Sequence, residues 1–362
     1  MKKVLFIVPH NIDPRIKKRI RIFINNNYQV YLLYGNRDKK SNNELDLLGI
    51  NNITWVNFSN SRSTIKRIFN LLLFSKNVCK YIKNIQPDII YITGFEALIA
   101  VCLCSLKNRK KIFYEVPDLP GGRWRRNKIF KKVIDKLEKM LLNNIDRIVL
   151  TSPFFIENYK EYKTKIFIFE NLPEKRIFAN FEKKHHEKFT IGFFGEIRYK
   201  KSMETLIEGL GGLNNIDIII AGKGIYYDEI NDIAKKYSNI RMLGSYDYEK
   251  DIVYLYSLVD CIYSVYDLIS DNVRLALPNK LYEAIICELP IIVSKGTKLE
   301  EFVKNKGLGF GISPDNKNEL REIINNLISY KEILKDIEGN CRIIKDMYYY
   351  ENIEKEFIDM CL

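Results

Sequence analysis

A chain of 362 residues with 46% hydrophobic content can fill two cores and is too apolar for a disordered tail. Its seven cysteines include no Cys-x-x-Cys pair and lie in apolar contexts, and its three histidines are His10 and the adjacent His185 and His186. Reduced core cysteines and no metal centre are therefore expected. The formal charge of +13 is one-sided: residues 1–180 carry 34 Lys+Arg against 15 Asp+Glu, net +19, and the remainder 24 against 30, net −6. Such a field points the first half toward an anionic partner, either nucleic acid or an acidic membrane surface.

Met1-Lys2-Lys3 followed by Val4–Val8 lacks a small-residue cleavage site and stops at Pro9-His10-Asn11, so a buried first strand is expected rather than a leader. Further β-branched runs follow at 28–33, 53–58, 88–92, 111–116, 147–151 and 165–169, with helical spacing over 15–26, 64–84, 95–106 and 124–144. The alternation predicts a parallel sheet flanked by helices. The longest apolar stretch, Ala97–Leu106, is far short of the roughly 20 residues of a spanning helix. A polar segment, 180–188, reads as a linker, after which strands recur at 189–195, 217–221, 240–243, 260–265, 290–294 and 308–312. The expected architecture is α/β, with two doubly wound Rossmann-like domains at 1–180 and 181–347. A terminal helix over 348–362, apolar at Ile353, Phe357, Ile358 and Cys361, would cross back to the first domain.

The first strand-to-helix loop, residues 9–15, contains no glycine, so a dinucleotide pyrophosphate has no close approach to that backbone. The second half opens differently. A strand ending at Gly195 leads through Arg198, Lys200 and Lys201 into an amphipathic helix, where forked and point-charge contacts and helix amides could hold phosphate. Further on, Leu277-Pro278-Asn279-Lys280-Leu281-Tyr282-Glu283 starts a helix with proline, whose missing amide suits the first helical position. Glu283 there could accept hydrogen bonds from both hydroxyls of a ribose.

This constellation resembles the GT-B glycosyltransferases, and within them the retaining family 4, or group 1, enzymes of bacterial surface-polysaccharide assembly such as capsule or O-antigen. The Pro-Asn-Lys-Leu-Tyr-Glu run is similar to the family's donor-site signature, although the first carboxylate of its Glu-x7-Glu pattern falls on Leu275. Ala221-Gly222-Lys223-Gly224 resembles the turn near the donor, Ser245-Tyr246 the segment facing the nucleobase, and Tyr266 with Asn272 the loop near sugar and diphosphate. In the first half, the strand ends carrying Glu96 and Asp118 resemble those lining the acceptor cleft, and Asn171 resembles a turn residue closing the domain. The resemblance implies a donor site of Gly195, Gly222, Gly224, Ser245, Tyr246, Tyr266, Asn272, Asn279, Lys280 and Glu283. It implies acceptor contacts at Glu96 and Asp118, and reaction roles for Arg198, Lys201 and Asp118. The implied activity is metal-independent, retaining hexosyl transfer from a nucleotide diphosphate sugar, as substrate rather than cofactor, to a lipid-linked or polysaccharide acceptor.

Two rivals remain: a sugar-nucleotide 2-epimerase of the same fold, and a non-enzymatic basic adaptor for membrane or nucleic acid. The segment Arg123-Trp124-Arg125-Arg126-Asn127-Lys128 opens an amphipathic stretch to Leu142 with eight basic and two acidic residues. Its apolar positions, among them Ile129, Phe130, Val133 and Met140, are expected to pack on the sheet. Arg123, Arg125, Arg126 and Lys128 are expected to hold the chain, without nucleic acid, on the anionic inner face of the plasma membrane from the cytoplasm.

Overall fold

The computed structural model describes residues 1–36, 50, 53–57, 64–104, 110–124 and 127–361. It divides into two compact units, Met1–Glu170 with Phe357–Leu362, and Asn171–Glu356.

In the first unit the order among the described residues is β1 (Lys3–Val8), α1 (Pro14–Asn25), β2 (Gln29–Asn36), β3 (Ile53–Asn57), α2 (Thr64–Ile85), β4 (Ile89–Thr93), α3 (Phe95–Cys102), β5 (Lys111–Val116), α4 (Lys128–Leu142), β6 (Arg147–Leu150) and β7 (Ile166–Ile168). The strands pair in parallel in the order β3-β2-β1-β4-β5-β6-β7. Both faces of β1 and β4 are covered, which is why these strands read as unbroken apolar runs rather than alternating ones. Asp13 starts α1 by accepting from the Ile16 amide at 2.9 Å, and Pro14 occupies the first helical position.

The second unit opens with the short α5 (Lys175–Phe178) and continues with β8 (Phe189–Phe194), α6 (Lys200–Leu210), β9 (Ile216–Ala221), α7 (Tyr227–Ala234), β10 (Ile240–Gly244), α8 (Tyr248–Ser257), β11 (Cys261–Ser264), α9 (Asp271–Leu275), α10 (Asn279–Ile286), β12 (Ile291–Ser294), α11 (Lys298–Asn305), β13 (Gly309–Ile312), α12 (Lys317–Ser329), α13 (Lys331–Ile344) and α14 (Tyr350–Cys361). Its sheet runs β10-β9-β8-β11-β12-β13. Each sheet therefore reverses direction beside its first strand, leaving a crevice at the carboxyl ends of β1 and β4 and of β8 and β11. The segment 180–188 is packed within this unit. The Lys184 amide donates to the Ser257 carbonyl at 3.1 Å, and Lys183 pairs with Asp260 at 3.2 Å.

The last residues of α14 belong to the first unit, where Phe357 is fully buried. Its ring lies 4.9 Å from Phe169, 5.4 Å from Phe167 and 6.2 Å from Phe23. Phe357 thus anchors this helix end, with Ile353 and Ile358 half-buried.

Two expectations are corrected. Cys79 and Cys104 form a disulfide, with Cα atoms 5.2 Å apart, whereas Cys102, Cys261, Cys287 and Cys341 are free. The pairing arises because α2 and α3 lie side by side, a proximity that 25 residues of sequence separation conceal. The apolar stripe of α4 is only partly covered: Ile129, Phe130, Val133 and Met140 are exposed, Ile134, Leu137 and Leu141 are half-buried, and the helix buries Glu138 and Leu142. The cause is polar. Glu138 Oε1 accepts from the Tyr159 hydroxyl at 2.7 Å and the Tyr114 hydroxyl at 2.9 Å, which fixes that side of the helix inward.

Candidate functional site

The crevice at the carboxyl ends of β8 and β11 gathers several of the singled-out residues. Gly195 follows β8 with φ 140°, Gly222 follows β9 with the same φ, and the Gly195 amide donates to the Ala221 carbonyl at 2.9 Å. A Cβ on Gly222 would overlap the Gly195 carbonyl, and one on Gly224 would overlap the Ile197 backbone, so the two loops touch main chain to main chain. The Lys280 side chain from α10 reaches this floor, since a Cβ on Gly195 would lie 3.1 Å from its Nζ.

Lys280 is 8% exposed. Its ammonium donates to the Tyr266 hydroxyl at 3.3 Å and lies 4.2 Å from the Phe193 ring centroid. Among the described residues no carboxylate lies within ion-pair distance of it. A buried ammonium held only by a phenol and aromatic faces is costly alone, and the arrangement suits an incoming anion. Tyr266 is itself fixed, accepting from Ser264 Oγ at 2.9 Å while its amide donates to Ser294 Oγ at 2.6 Å.

Three residues along α10, Glu283 is buried, and each of its oxygens accepts from a tyrosine: Oε1 from Tyr248 and Oε2 from Tyr256, both at 2.7 Å. Burial and the Glu283 charge push both phenols well above their ordinary range, so they remain donors. Tyr246 is raised for the same two reasons. The carboxylate is therefore oriented and preorganised by two hydrogen bonds. Asn279 accepts from Asn171 Nδ2 at 2.8 Å, which ties the start of α10 to the beginning of the unit. Pro278 stands one position before its expected place, as the cap with ψ 155°. Asn272 is buried in α9, Leu275 ends that helix, and Ser245 is exposed between β10 and α8.

The cationic loop departs from expectation in one respect. The first amides of α6 are occupied: Asp267 accepts from Lys201 N at 3.3 Å and from Ser202 N at 3.0 Å. A carboxylate from the chain already neutralises this helix end, so these amides are not the open phosphate donors that the sequence suggested. The side chains remain outside. Arg198 is exposed, pairs with Glu196 at 3.4 Å and lies 5.4 Å from the Tyr199 ring, which meets Tyr266 edge-on at 5.1 Å. Lys201 is exposed in the first turn of α6.

In the first unit, Glu96 stands in the first turn of α3 beside Gly94, whose φ is 78°, and Asp118 is exposed after β5. Sequence reading missed the charge cluster behind them. The buried Glu115 lies 3.7 Å from Arg15 Nε and 3.5 Å from Arg19 Nη2, and accepts from the Tyr91 hydroxyl at 2.9 Å. Arg19 also donates to the Phe169 carbonyl at 2.8 Å and stacks on that ring. Burial opposes the charge on Arg15, but Asp13 and Glu115 outweigh it and raise its pKa. The only sequence signal was the density of cations in α1. Of the basic patch, Lys128 is exposed at the start of α4, Arg123 lies in a 3-10 turn over Pro120–Trp124, and Arg125 and Arg126 lie outside the described residues.

Residues 174–342 match the family model described as glycosyl transferases group 1. The chain is 22% identical over 261 residues to the succinoglycan biosynthesis protein ExoL of Rhizobium meliloti, covering 67% of this chain and 64% of that one. It thus spans less than two thirds of that curated relative. Among solved structures, sucrose-phosphate synthase from Thermosynechococcus elongatus superimposes with a TM-score of 0.75 at 14% identity, over 99% of this chain and 98% of that one. Anabaena Alr3699/HepE in complex with UDP gives 0.74 at 16% identity, over 99% of each chain. The protein has the GT-B fold of these structures, and the match to the glycosyl transferases group 1 model falls within its second unit.

Proposed function

We propose that this chain transfers a sugar from a nucleoside diphosphate sugar to a glycan or lipid-linked acceptor. The observation that carries the reading is Lys280: a buried ammonium without a carboxylate partner among the described residues, at the switch point of the second sheet, against a floor of glycines. A diphosphate supplies the missing counter-charge. Glu283, held by two tyrosines, takes the ribose hydroxyls, and Tyr246 flanks the base. The UDP complex of HepE, which shares the fold, supports a nucleotide in such a site.

In the proposed reaction the bond from the anomeric carbon to the diphosphate breaks, and an acceptor oxygen bonds to that carbon on the same face, with retention. The acceptor proton passes to the departing phosphate oxygen. Charge growing on that phosphate is met by Lys280, Arg198 and Lys201, so the cations of the chain serve without a metal. Glu96 and Asp118 are proposed acceptor contacts. The succinoglycan role of ExoL favours a surface polysaccharide as the product class. The basic first half, including the Arg123–Lys128 segment, is proposed to rest on an anionic leaflet from the cytoplasmic side. No helix among the described residues is long and apolar enough to cross a membrane.

A thermal-shift panel of UDP-, GDP- and dTDP-sugars identifies the donor, and a coupled assay then follows free nucleoside diphosphate. Release that depends on added acceptor supports transfer. Donor conversion without acceptor and without diphosphate release would instead make the chain an epimerase, and stabilisation by none of the donors would remove the reading.

A further inference from the structure

Arg274 is a second cation that the second unit leaves without a counter-charge. It stands on α9, in the segment that runs from Tyr266 to Lys280, and among the described residues no carboxylate lies within ion-pair distance of it. A guanidinium offers five N–H donors. Arg274 spends one of them within the described chain, from Nη1 to the Gly296 carbonyl at 3.2 Å, and its Nε is buried with no hydrogen-bond partner. The carbonyl it meets is held in place. Gly296 turns with φ 73°, its amide donates to Glu300 Oε2 at 2.7 Å, and Thr297 Oγ1 accepts from the Glu300 amide at 3.1 Å. A buried donor without an acceptor costs stability, so an oriented guanidinium with unspent donors points to an acceptor that the chain itself does not supply.

The sheet fixes how far this cation stands from Lys280. β11 pairs with β8 on one side and β12 on the other, and the register carried forward sets Val265 level with Gly195 and with Ser294. The Lys280 ammonium lies over Gly195 at the end of β8, and the Arg274 guanidinium lies at Gly296, two residues past Ser294 at the end of β12. The two charges are therefore about two strand spacings apart, roughly 10 Å along one carboxyl edge. Tyr266 stands between them. Its hydroxyl accepts from Lys280, its amide donates to Ser294 Oγ, and its carbonyl accepts from the same hydroxyl at 2.9 Å. That separation exceeds the reach of a single diphosphate, so the two cations call for two anionic groups on one ligand. Leu275, the residue after Arg274, adds no negative charge beside the guanidinium.

We propose that Arg274 binds a carboxylate carried by the transferred sugar, so that the donor is a nucleoside diphosphate hexuronate. This rests on the reading above, in which Lys280 takes the diphosphate, and it names the class of sugar. In a hexuronate the ring stands between the anomeric oxygen on the diphosphate and the carboxylate on the far carbon, which sets its two anionic ends apart as the two cations are. A planar guanidinium with free donors suits the two oxygens of that carboxylate, and a neutral hexose would leave it unmet.

The test titrates the full chain by calorimetry with matched pairs on one nucleotide: UDP-glucuronate with UDP-glucose, UDP-galacturonate with UDP-galactose, and GDP-mannuronate with GDP-mannose, alongside UDP and GDP alone. The expected result is that, in at least one pair, the acid sugar binds about tenfold or more tightly than its neutral partner. Arg274→Gln, which keeps a donor for the Gly296 carbonyl and removes the charge, should abolish that preference and leave the affinity for the nucleoside diphosphate unchanged. Arg274→Lys should retain part of it. Equal or weaker binding of the acid sugar in every pair would overturn the proposal, as would a preference that survives Arg274→Gln. Weakening of UDP or GDP alone by the same factor as the acid sugar would overturn it in favour of a diphosphate contact, and a lowered Tm with the preference intact would make Arg274 a structural tie to the Gly296 turn. Binding of the nucleoside diphosphate without any sugar preference sinks this inference alone, whereas binding of neither UDP, GDP nor any of the sugars sinks the nucleotide-sugar reading and this inference with it.

Discussion

Both units bury cations, and they do so in opposite ways. In the first, Arg15 pairs with Asp13 and Glu115 and Arg19 with Glu115, Tyr91 donates to Glu115 and the Phe169 carbonyl accepts from Arg19, so two cations meet two carboxylates within the chain. In the second, Lys280 is buried against Phe193 and Tyr266 without a carboxylate among the described residues. A balanced cluster belongs to the architecture of the fold, whereas an unbalanced one is tolerated because something else brings the counter-charge. Functional content therefore lies less in where charge is buried than in whether it is matched.

The largest expected effect breaks the balanced side. Glu115→Ala leaves two guanidinium groups buried beside each other and should destabilise the first unit by about 3–5 kcal/mol in denaturant titration. A loss below about 1 kcal/mol would show that the cluster is not a matched one.

A second test concerns Glu138, whose carboxyl burial pushes up to about 7 against the opposing hydrogen bonds of Tyr159 and Tyr114. Between about pH 4.5 and 7 the folded chain keeps a proton that the unfolded chain has released, so stability falls as pH rises through that window. Glu138→Gln, which keeps an acceptor for the tyrosines, should flatten this dependence. The Tm of the variant relative to the parent should rise from pH 5 to pH 8, by up to roughly 3 kcal/mol in stability terms. Parallel Tm curves for the two proteins would refute the burial argument.

On the second unit, Glu283→Ala should weaken nucleotide-sugar binding by about 1–3 kcal/mol in calorimetry, through loss of a charged acceptor for ribose hydroxyls. The variant also strands the Tyr248 and Tyr256 hydroxyls, so Tm is recorded alongside; lost stability at wild-type affinity would make Glu283 structural. A smaller effect is expected at the exposed end of the site. Arg198→Ala and Lys201→Ala should lower kcat more than they raise KM, because they meet charge that grows as the diphosphate departs. Unchanged kcat in both would remove them from the mechanism.

The sequence revealed the elements readily, since each buried parallel strand is an unbroken apolar run and each helix between them keeps its own period. It also singled out Gly195, Gly222, Lys280 and Glu283, because local chemistry constrains them: loops that admit no Cβ, and a helix begun after proline. What it concealed depends on partners distant in the chain. Asp267 caps α6 across more than sixty residues, and Tyr248 reaches Glu283 across 35. The rotation of α4 was concealed for another reason. Periodicity tells which residues share a face, but only the tyrosines around Glu138 decide which face turns inward.

The contrast between matched and unmatched charge is tested most directly at Lys280→Met, which keeps the length of the stem and removes the ammonium. Calorimetric titration with the donor nucleotide is paired with denaturant unfolding of the free protein. The account predicts donor affinity reduced by about 2 kcal/mol or more with stability unchanged or raised, since a costly unmatched charge has gone. Wild-type affinity together with a clear loss of stability would contradict it, and would show that Lys280, like Arg15 and Arg19, is a matched part of the fold.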